Sequence, residues 1–299
     1  MLGAIIGVIL SDKQWYHYKS LKDLGDYYAA MGDLKHARSS YEQAAAAAPD
    51  DVDAAIWVGR RFGYLGRFRE AIEVYSKALV KHPDSPQLLR HRGHRYLTLR
   101  RFHDAVNDLE RAQRLVAGKP DVPEPDGLPN AANIPLSTLQ SNIRYHLGVA
   151  SYMLGDYARA ADVLRESLES ATNDDRWCSE GYWLYLTLRR LGRKADADLL
   201  LAPVSKDMQI LENFSYQKLL LFFRGEGKAE ALLAAARKDP DASAFPTIAY
   251  GIAMSRQFAG DAAGARELLE QITSGDNWPS FGYIGAEVDL ARAAGRPVR

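Results

Sequence analysis

The chain has 299 residues, of which 47% are hydrophobic and 25% charged, an ordinary globular composition that excludes wholesale disorder. Lys plus Arg and Asp plus Glu stand at 38 each, so the molecule as a whole offers no electrostatic argument for a nucleic-acid partner, and any charge signal must be local. The single cysteine, Cys178, cannot close an internal disulfide. That excludes a disulfide scaffold and leaves the compartment open between cytoplasm and periplasm.

Residues 1–10 carry the apolar run LGAIIGVIL, well short of the roughly 20 residues a membrane helix needs. No stable membrane span is expected. The run lacks a basic leading stretch and a small-x-small cleavage site, so residues 1–17 read as a packing segment or cap rather than as a signal remnant.

Self-similarity dominates the next hundred residues. Gly25, Gly59 and Gly93 are 34 residues apart, and so are Ala37, Ala71 and Ala105. Three further columns keep the step: Tyr28, Phe62 and Tyr96; Tyr41, Tyr75 and Leu109; Ala44, Ala78 and Ala112. Pro49 and Pro83 close the first two units. The spacing predicts two antiparallel helices per unit joined by a short turn. Gly32 and Gly66 fall where the first helix ends and a left-handed C-cap is wanted, a place that Arg100 fills in the third unit. The glycine and alanine columns let the two helices cross closely, with aromatic residues in the wider gaps on either side. One such pair cannot bury its apolar face alone, so stability must come from stacking on neighbours.

Three units cover residues 18–119. A Pro-rich insertion, 120–138, interrupts the register because repeated Pro and Gly forbid a long helix. A fourth unit, 139–175, resumes with Gly148, Gly155, Tyr157, Ala160 and Leu164. Over 176–299 the pattern weakens: Gly192 with Ala197 and Gly260 with Ala265 mark two units, 68 residues apart. Between them a degenerate pair of helices flanks Gly225 to Gly227. Roughly Phe281 to Ala294 resembles a lone first helix, as a terminal cap must.

The string LGDYYAAMGDLKHARSSYEQAAAAAPD resembles a nearly complete tetratricopeptide repeat. The resemblance implies an all-α, right-handed superhelical solenoid of antiparallel helix pairs, whose first helices line a concave groove that holds a protein or peptide. The layout also resembles bacterial proteins of this repeat family and, in architecture alone, bacterial lipoproteins that recruit cell-wall hydrolases; no lipobox cysteine stands near the start. Carried onto this chain, the groove places of the repeat fall on Lys19, Lys22, Asp23 and Asp26, then Asp53, Ile56, Trp57 and Arg60. In the third and fourth units they fall on Gln87, Arg90, His91 and His94, and on Asn142, Tyr145, His146 and Tyr152. The carboxylate-clamp subgroup of the family wants asparagines where Asp26 and Trp57 stand, so a chaperone-tail receptor is not implied.

Local charge agrees with a basic, aromatic groove. Residues 52–119 hold 14 Lys plus Arg against 7 Asp plus Glu, whereas 120–137 hold Asp121, Glu124 and Asp126 with no base. An acidic partner segment or a C-terminal carboxylate suits such a surface through charge-assisted bonds to arginine, and the acidic insertion is itself a candidate occupant. The groove candidates are Lys22, Trp57, Arg60, Arg90, His91, His94, Tyr145 and His146. Arginines exposed on helix faces are also normal for a soluble solenoid.

Catalytic signatures are missing: no Walker loop, no G-x-S-x-G elbow, no H-E-x-x-H helix. His91 and His94 lie three apart, a spacing that lets both face one ligand, yet histidines on a polar helix face are commoner than ligands and no metal or cofactor is expected. Cys178 near a helix start reads as a buried structural thiol. Trp15, Trp57, Trp177, Trp183 and Trp278 fall in scattered repeats, which argues for packing between units rather than a nucleic-acid stacking platform. The expectation is a non-catalytic scaffold or adaptor. The alternative is a structural or auxiliary subunit of a bacterial envelope assembly, acting through convex or terminal surfaces, and the sequence leaves oligomeric state open. If Ala71 sits at a helix crossing, Ala71→Leu should overpack it and lower stability by roughly 1–3 kcal/mol; an unchanged melting temperature would contradict that placement.

Overall fold

The computed structural model describes residues 12–125, 130 and 132–298, with side chains from residue 17 onward. The apolar run of residues 2–10 and the side chain of Trp15 lie outside them. The described elements are helices: α1 Asp12–Ala30, α2 Leu34–Ala47, α3 Val52–Tyr64, α4 Phe68–Lys81, α5 Pro86–Thr98, α6 Phe102–Val116, α7 Leu139–Leu154 and α8 Tyr157–Glu169. They continue as α9 Asp174–Arg190, α10 Lys194–Leu200, α11 Phe214–Phe223, α12 Ala229–Ala236, α13 Ala244–Phe258, α14 Ala262–Thr273 and α15 Phe281–Ala293. Among the described residues the only extended pairing is an isolated bridge between Pro123 and Thr138.

Each turn within a pair is built the same way. Gly32 at φ 75° and Gly66 at φ 71° reverse the chain in the left-handed region, and the next residue donates its N–H five residues back, from Asp33 to Tyr28 O and from Arg67 to Phe62 O, a Schellman closure of the last carbonyls. In the first unit Asp33 then caps α2 by accepting from His36 N, so two residues end one helix and begin the next. Asp156 and Asp261 do the same for α8 and α14. Arg100 holds φ 62° where its counterparts are glycine, a strained backbone for a residue with a Cβ. Its guanidinium binds Trp278 O at 2.8 Å and pairs with Glu287, so tertiary contacts hold the strained residue in place.

The packing columns correct one detail of the sequence reading. The alanines do lie at the crossings: Ala37, Ala71, Ala105, Ala160, Ala197 and Ala265 are all 0% exposed. The glycines, however, are where the large residues sit, not a separate crossing beside them. A Cβ on Gly25 would stand 2.3 Å from the ring of Tyr41, and one on Gly59 2.2 Å from that of Tyr75; Gly93 and Gly148 meet Leu109 and Leu164 in the same way. Each partner lies 16 residues on, so a ring or isobutyl group on the second helix rests on the bare backbone of the first.

The chain forms two compact units, one of residues 12–96 with 107–120, the other of residues 97–106 with 121–298. In the first, α1 pairs with α2, α2 packs on α3, and α3 pairs with α4. In the second, α7 pairs with α8 and α13 with α14, while α15 packs on α13 and α14 and also returns to α7. This overturns the expectation of an inner face left open to the end of the chain. Gly282 and Gly285 on α15 allow the approach, since a Cβ there would come within 2.3 Å of Pro246 O and 2.6 Å of the Tyr250 ring. The contact is then fastened by a buried polar set: Arg190 to Asp289 at 2.6 Å, Tyr250 to Asp289 at 2.9 Å, and Tyr152 to Tyr250 at 2.9 Å.

Two loops are pinned by carboxylates. Asp175, 0% exposed, accepts from the backbone N–H groups of Leu211, Glu212 and Asn213, which hangs the α10 to α11 linker on the start of α9. In the insertion, Asp121 accepts from Gln140 N and Thr138 Oγ1. Glu124 there is buried and receives Asn142 Nδ2 at 3.2 Å, so the acidic insertion covers one of the groove places of α7.

Gly59→Ala tests the packing rule against helix propensity, which alone would favour Ala by about 1 kcal/mol. Because Tyr75 is 1% exposed and cannot swing away, the substitution should instead destabilise the protein, by roughly 1–3 kcal/mol, measured by thermal or urea unfolding.

Candidate functional site

The expected groove places of the first unit do not all face a partner. Asp26 on α1 is the hub of an internal network, accepting from Arg61 Nε at 2.6 Å, Tyr41 Oη at 2.7 Å and Lys22 Nζ at 2.8 Å. Burial disfavours its charged form, yet these hydrogen bonds prevail and hold the carboxyl below the usual aspartate range. Lys22 also pairs with Asp23 at 2.9 Å. The network ties α1, α2 and α3 together at their inner edge.

Beside it lies a cleft of about 380 Å³ lined by Tyr18, Lys19, Lys22, Asp51, Asp53, Ala54, Trp57 and Arg61. Trp57 forms its aromatic wall, with the Arg60 guanidinium 4.9 Å and that of Arg61 5.5 Å from the ring centroid. Such stacking holds flexible cations in place at low entropic cost. The Tyr18 hydroxyl is buried with no hydrogen-bond partner, which leaves a donor and an acceptor in this wall.

On α5 the structure gathers Arg90, His91, His94 and Arg95. Arg90 is 8% and His91 6% exposed, so both are mostly buried rather than standing out from the groove. Arg90 Nη1 donates to His91 Nδ1 at 3.0 Å and Arg95 Nη2 to His94 Nδ1 at 2.6 Å. His91 also stacks on Tyr75 with ring centroids 5.8 Å apart. Arg95, over the Phe68 ring at 5.4 Å, is pulled down to about 10 by burial, with the positive charges of Arg90 and Arg60 acting in the same direction. These guanidiniums therefore feel one another across α3 and α5.

The fourth-unit candidates sit in a different setting. His146 is 4% exposed and its Nδ1 bonds Asn142 O at 2.6 Å. Tyr145 accepts from Trp183 Nε1 at 3.1 Å and bonds the Tyr216 hydroxyl at 3.2 Å, and the Phe281 ring packs 6.1 Å from Tyr145 and 5.9 Å from His146. The return of α15 occupies this inner face. Cys178 is buried, its thiol pushed up to about 12 chiefly by burial and then by Asp174 and Asp175, which suits an inert thiol.

Sequence reasoning missed Tyr18, Arg61 and Arg95. The last two neighbour Arg60 and His94 in the chain, and only the helix phase shows that they share the same inward face. No periodic column marks Tyr18. Among the described residues no helix is long and apolar enough to cross a membrane.

Helix pairs stacked at a constant step, with inward polar and aromatic faces, define an interaction-scaffold architecture. The family model described as tetratricopeptide repeat matches residues 22–86, 58–120 and 139–175, and the chain is a member of the tetratricopeptide repeat family over those stretches. Repeats of this family serve in general as non-catalytic scaffolds that bind proteins or peptides. No curated protein matches the chain. Among solved structures it is similar to MamA, with 16% identity over 72% of this chain and 97% of that one and a TM-score of 0.47. It is also similar to PilW, a type IV pilus biogenesis factor, with 18% identity over 88% and 94% and a TM-score of 0.49. The pilF protein of Pseudomonas aeruginosa matches at 17% identity over 92% and 100%, with a TM-score of 0.49.

Asp26→Asn should destabilise the first unit by roughly 1.5–3 kcal/mol at neutral pH, because it leaves Arg61 without its charged acceptor. The folded carboxyl titrates below its unfolded value of about 3.9, so this stabilisation is full above that value and is lost as pH falls through the lower folded one. Unfolding curves of the two proteins should converge in strong acid and differ most near pH 7.

Proposed function

We propose that the first unit is a non-catalytic adaptor whose inner face, on α1, α3 and α5, binds an acidic segment of a partner protein. The observation that carries this reading is the mutual electrostatic effect of Arg60, Arg90 and Arg95, seen in the lowered pKa of Arg95. Like charges brought together raise the local potential, and a carboxylate entering among them relieves it. Arg60, already aligned on Trp57, is the member best oriented to bond a carboxylate in two-point fashion. Trp57, Lys22 and the Tyr18 hydroxyl line the adjoining cleft, which suits an apolar or hydroxyl-bearing side chain flanking the acid. Arg90, His91 and His94 belong to the same surface and set its charge more than its contact area, since they are largely buried or engaged with one another. Tyr145 and His146 fall outside this site and act in packing. Nucleic acid is a poorer fit, because the 38 acids and 38 bases of the chain leave no broad basic face for a phosphate backbone.

A second reading, a structural subunit acting through its outer face, is favoured by one feature. A cleft of about 420 Å³ between α2 and α4 is walled by Ala45, Ala46, Pro49, Val74 and Ala78 and edged by Glu42, Glu73 and Lys77.

Two charge changes separate these readings. Arg60→Glu should weaken capture of partner proteins by at least about tenfold, the scale of one charge-assisted contact reversed, while Val74→Asp should leave it unchanged. Pull-downs from native cells with both variants, each checked by melting temperature, supply the measurement. Equal recovery with Arg60→Glu sinks the groove reading.

A further inference from the structure

The second unit encloses a polar cavity that the groove does not use, and it stands independently of the reading above. It measures about 260 Å³ and is walled by α7, α9, α11 and α15 together with the insertion and the α10 to α11 linker, smaller than the roughly 300–1,000 Å³ of pockets for drug-sized ligands. Glu180 is part of its wall and is 2% exposed. Glu180 Oε1 accepts from Arg176 Nε at 3.2 Å, but Oε2 has no hydrogen-bond partner; the Ser167 hydroxyl lies alongside without closing a bond. The Arg176 guanidinium turns to the protein, donating to Ser170 O at 3.0 Å, Ser170 Oγ at 3.1 Å and Ser167 O at 3.3 Å. Glu212 adds a second carboxylate to the lining, so two acids face one base already committed elsewhere. Tyr145, Tyr216 and Phe281 complete the walls, and the Tyr145 ring is held by Trp183 Nε1 and the Tyr216 hydroxyl.

A buried carboxylate oxygen without a donor is unfavourable, and the missing group must carry N–H or O–H. Aromatic faces around a net negative lining favour a cation over a neutral donor. We propose that this cavity takes one cationic nitrogen group, an ammonium or guanidinium, that donates to Glu180 Oε2 and lays its aliphatic stem against Tyr145 and Phe281. The group is either the end of a free small amine or a Lys or Arg side chain of a bound peptide.

Calorimetric titration of the full chain with agmatine, with the peptide acetyl-Gly-Arg-Gly-amide, and with n-pentanol as the neutral control tests this. Agmatine should bind and n-pentanol should not. Binding of the peptide as tightly as agmatine assigns the site to a basic side chain, and binding of agmatine alone assigns it to a small amine. Glu180→Gln should weaken agmatine by about tenfold or more, the scale of a hydrogen bond to a charged group. Since that change leaves Arg176 without its counter-charge and can unfold the unit, Tyr216→Leu is the second variant. It removes an aromatic wall, leaves the ion pair intact, and should weaken binding severalfold in a protein of normal melting temperature. No heat from either cation up to about 10 mM, or equal affinity of wild type and both folded variants, overturns the proposal.

Discussion

Within each regular repeat the two helices can approach only because a glycine on the first lies beneath a ring or isobutyl group on the second. The distances leave no choice: any Cβ on Gly25, Gly59, Gly93 or Gly148 would penetrate the side chain above it. Native interiors are packed to crystal density, so such a contact transmits its geometry to the rest of the pair. The alanine column then sets the crossing point and the left-handed turn residue sets the direction of return. Pair spacing, and with it the alignment of successive first helices, follows from these three residue types. The inward face of α1, α3 and α5 is a consequence of that alignment.

Charge on this face is managed in two opposite ways. Where α1 meets α3, Asp26 collects Arg61, Lys22 and Tyr41 into a satisfied network, which fixes the register of the first two pairs and removes those groups from partner binding. Between α3 and α5 the guanidiniums Arg60, Arg90 and Arg95 are instead held near one another, by Trp57 and Phe68 faces and by histidine nitrogens. Arginine tolerates this because its charge is delocalised and weakly hydrated. One surface therefore carries a structural ion network next to a cationic zone available to a partner.

The second unit uses the same helix pairs to a different end. Its inner face is filled from within by α15, fastened through Asp289 to Arg190 and Tyr250 and through Arg292 to Met153 O. Buried ion pairs of this kind offer little net stabilisation over apolar packing, because desolvation offsets most of the Coulomb gain. Their effect here is to specify one docked position for α15. The small polar cavity around Glu180 is what remains of the inner face after that docking.

How much of this was legible beforehand depended on range. The 34-residue step of Gly25, Gly59 and Gly93, the turn at Gly32 and Gly66, and the substitution of Arg100 at the third turn all stand in the sequence. Each is a local requirement on backbone angle or side-chain volume that a residue meets alone. Helix pairs, their boundaries near the insertion, and the family could be read from those requirements. Which polar groups face outward could not, because pairing is decided by residues far apart in the chain: Arg61 finds Asp26 across 35 positions, Arg190 finds Asp289 across 99, and Phe281 reaches Tyr145 only when α15 folds back. Tertiary structure alone moved Tyr145 and His146 from a groove to a packed interior, since burial is a property of what comes to rest on a residue and not of the residue itself.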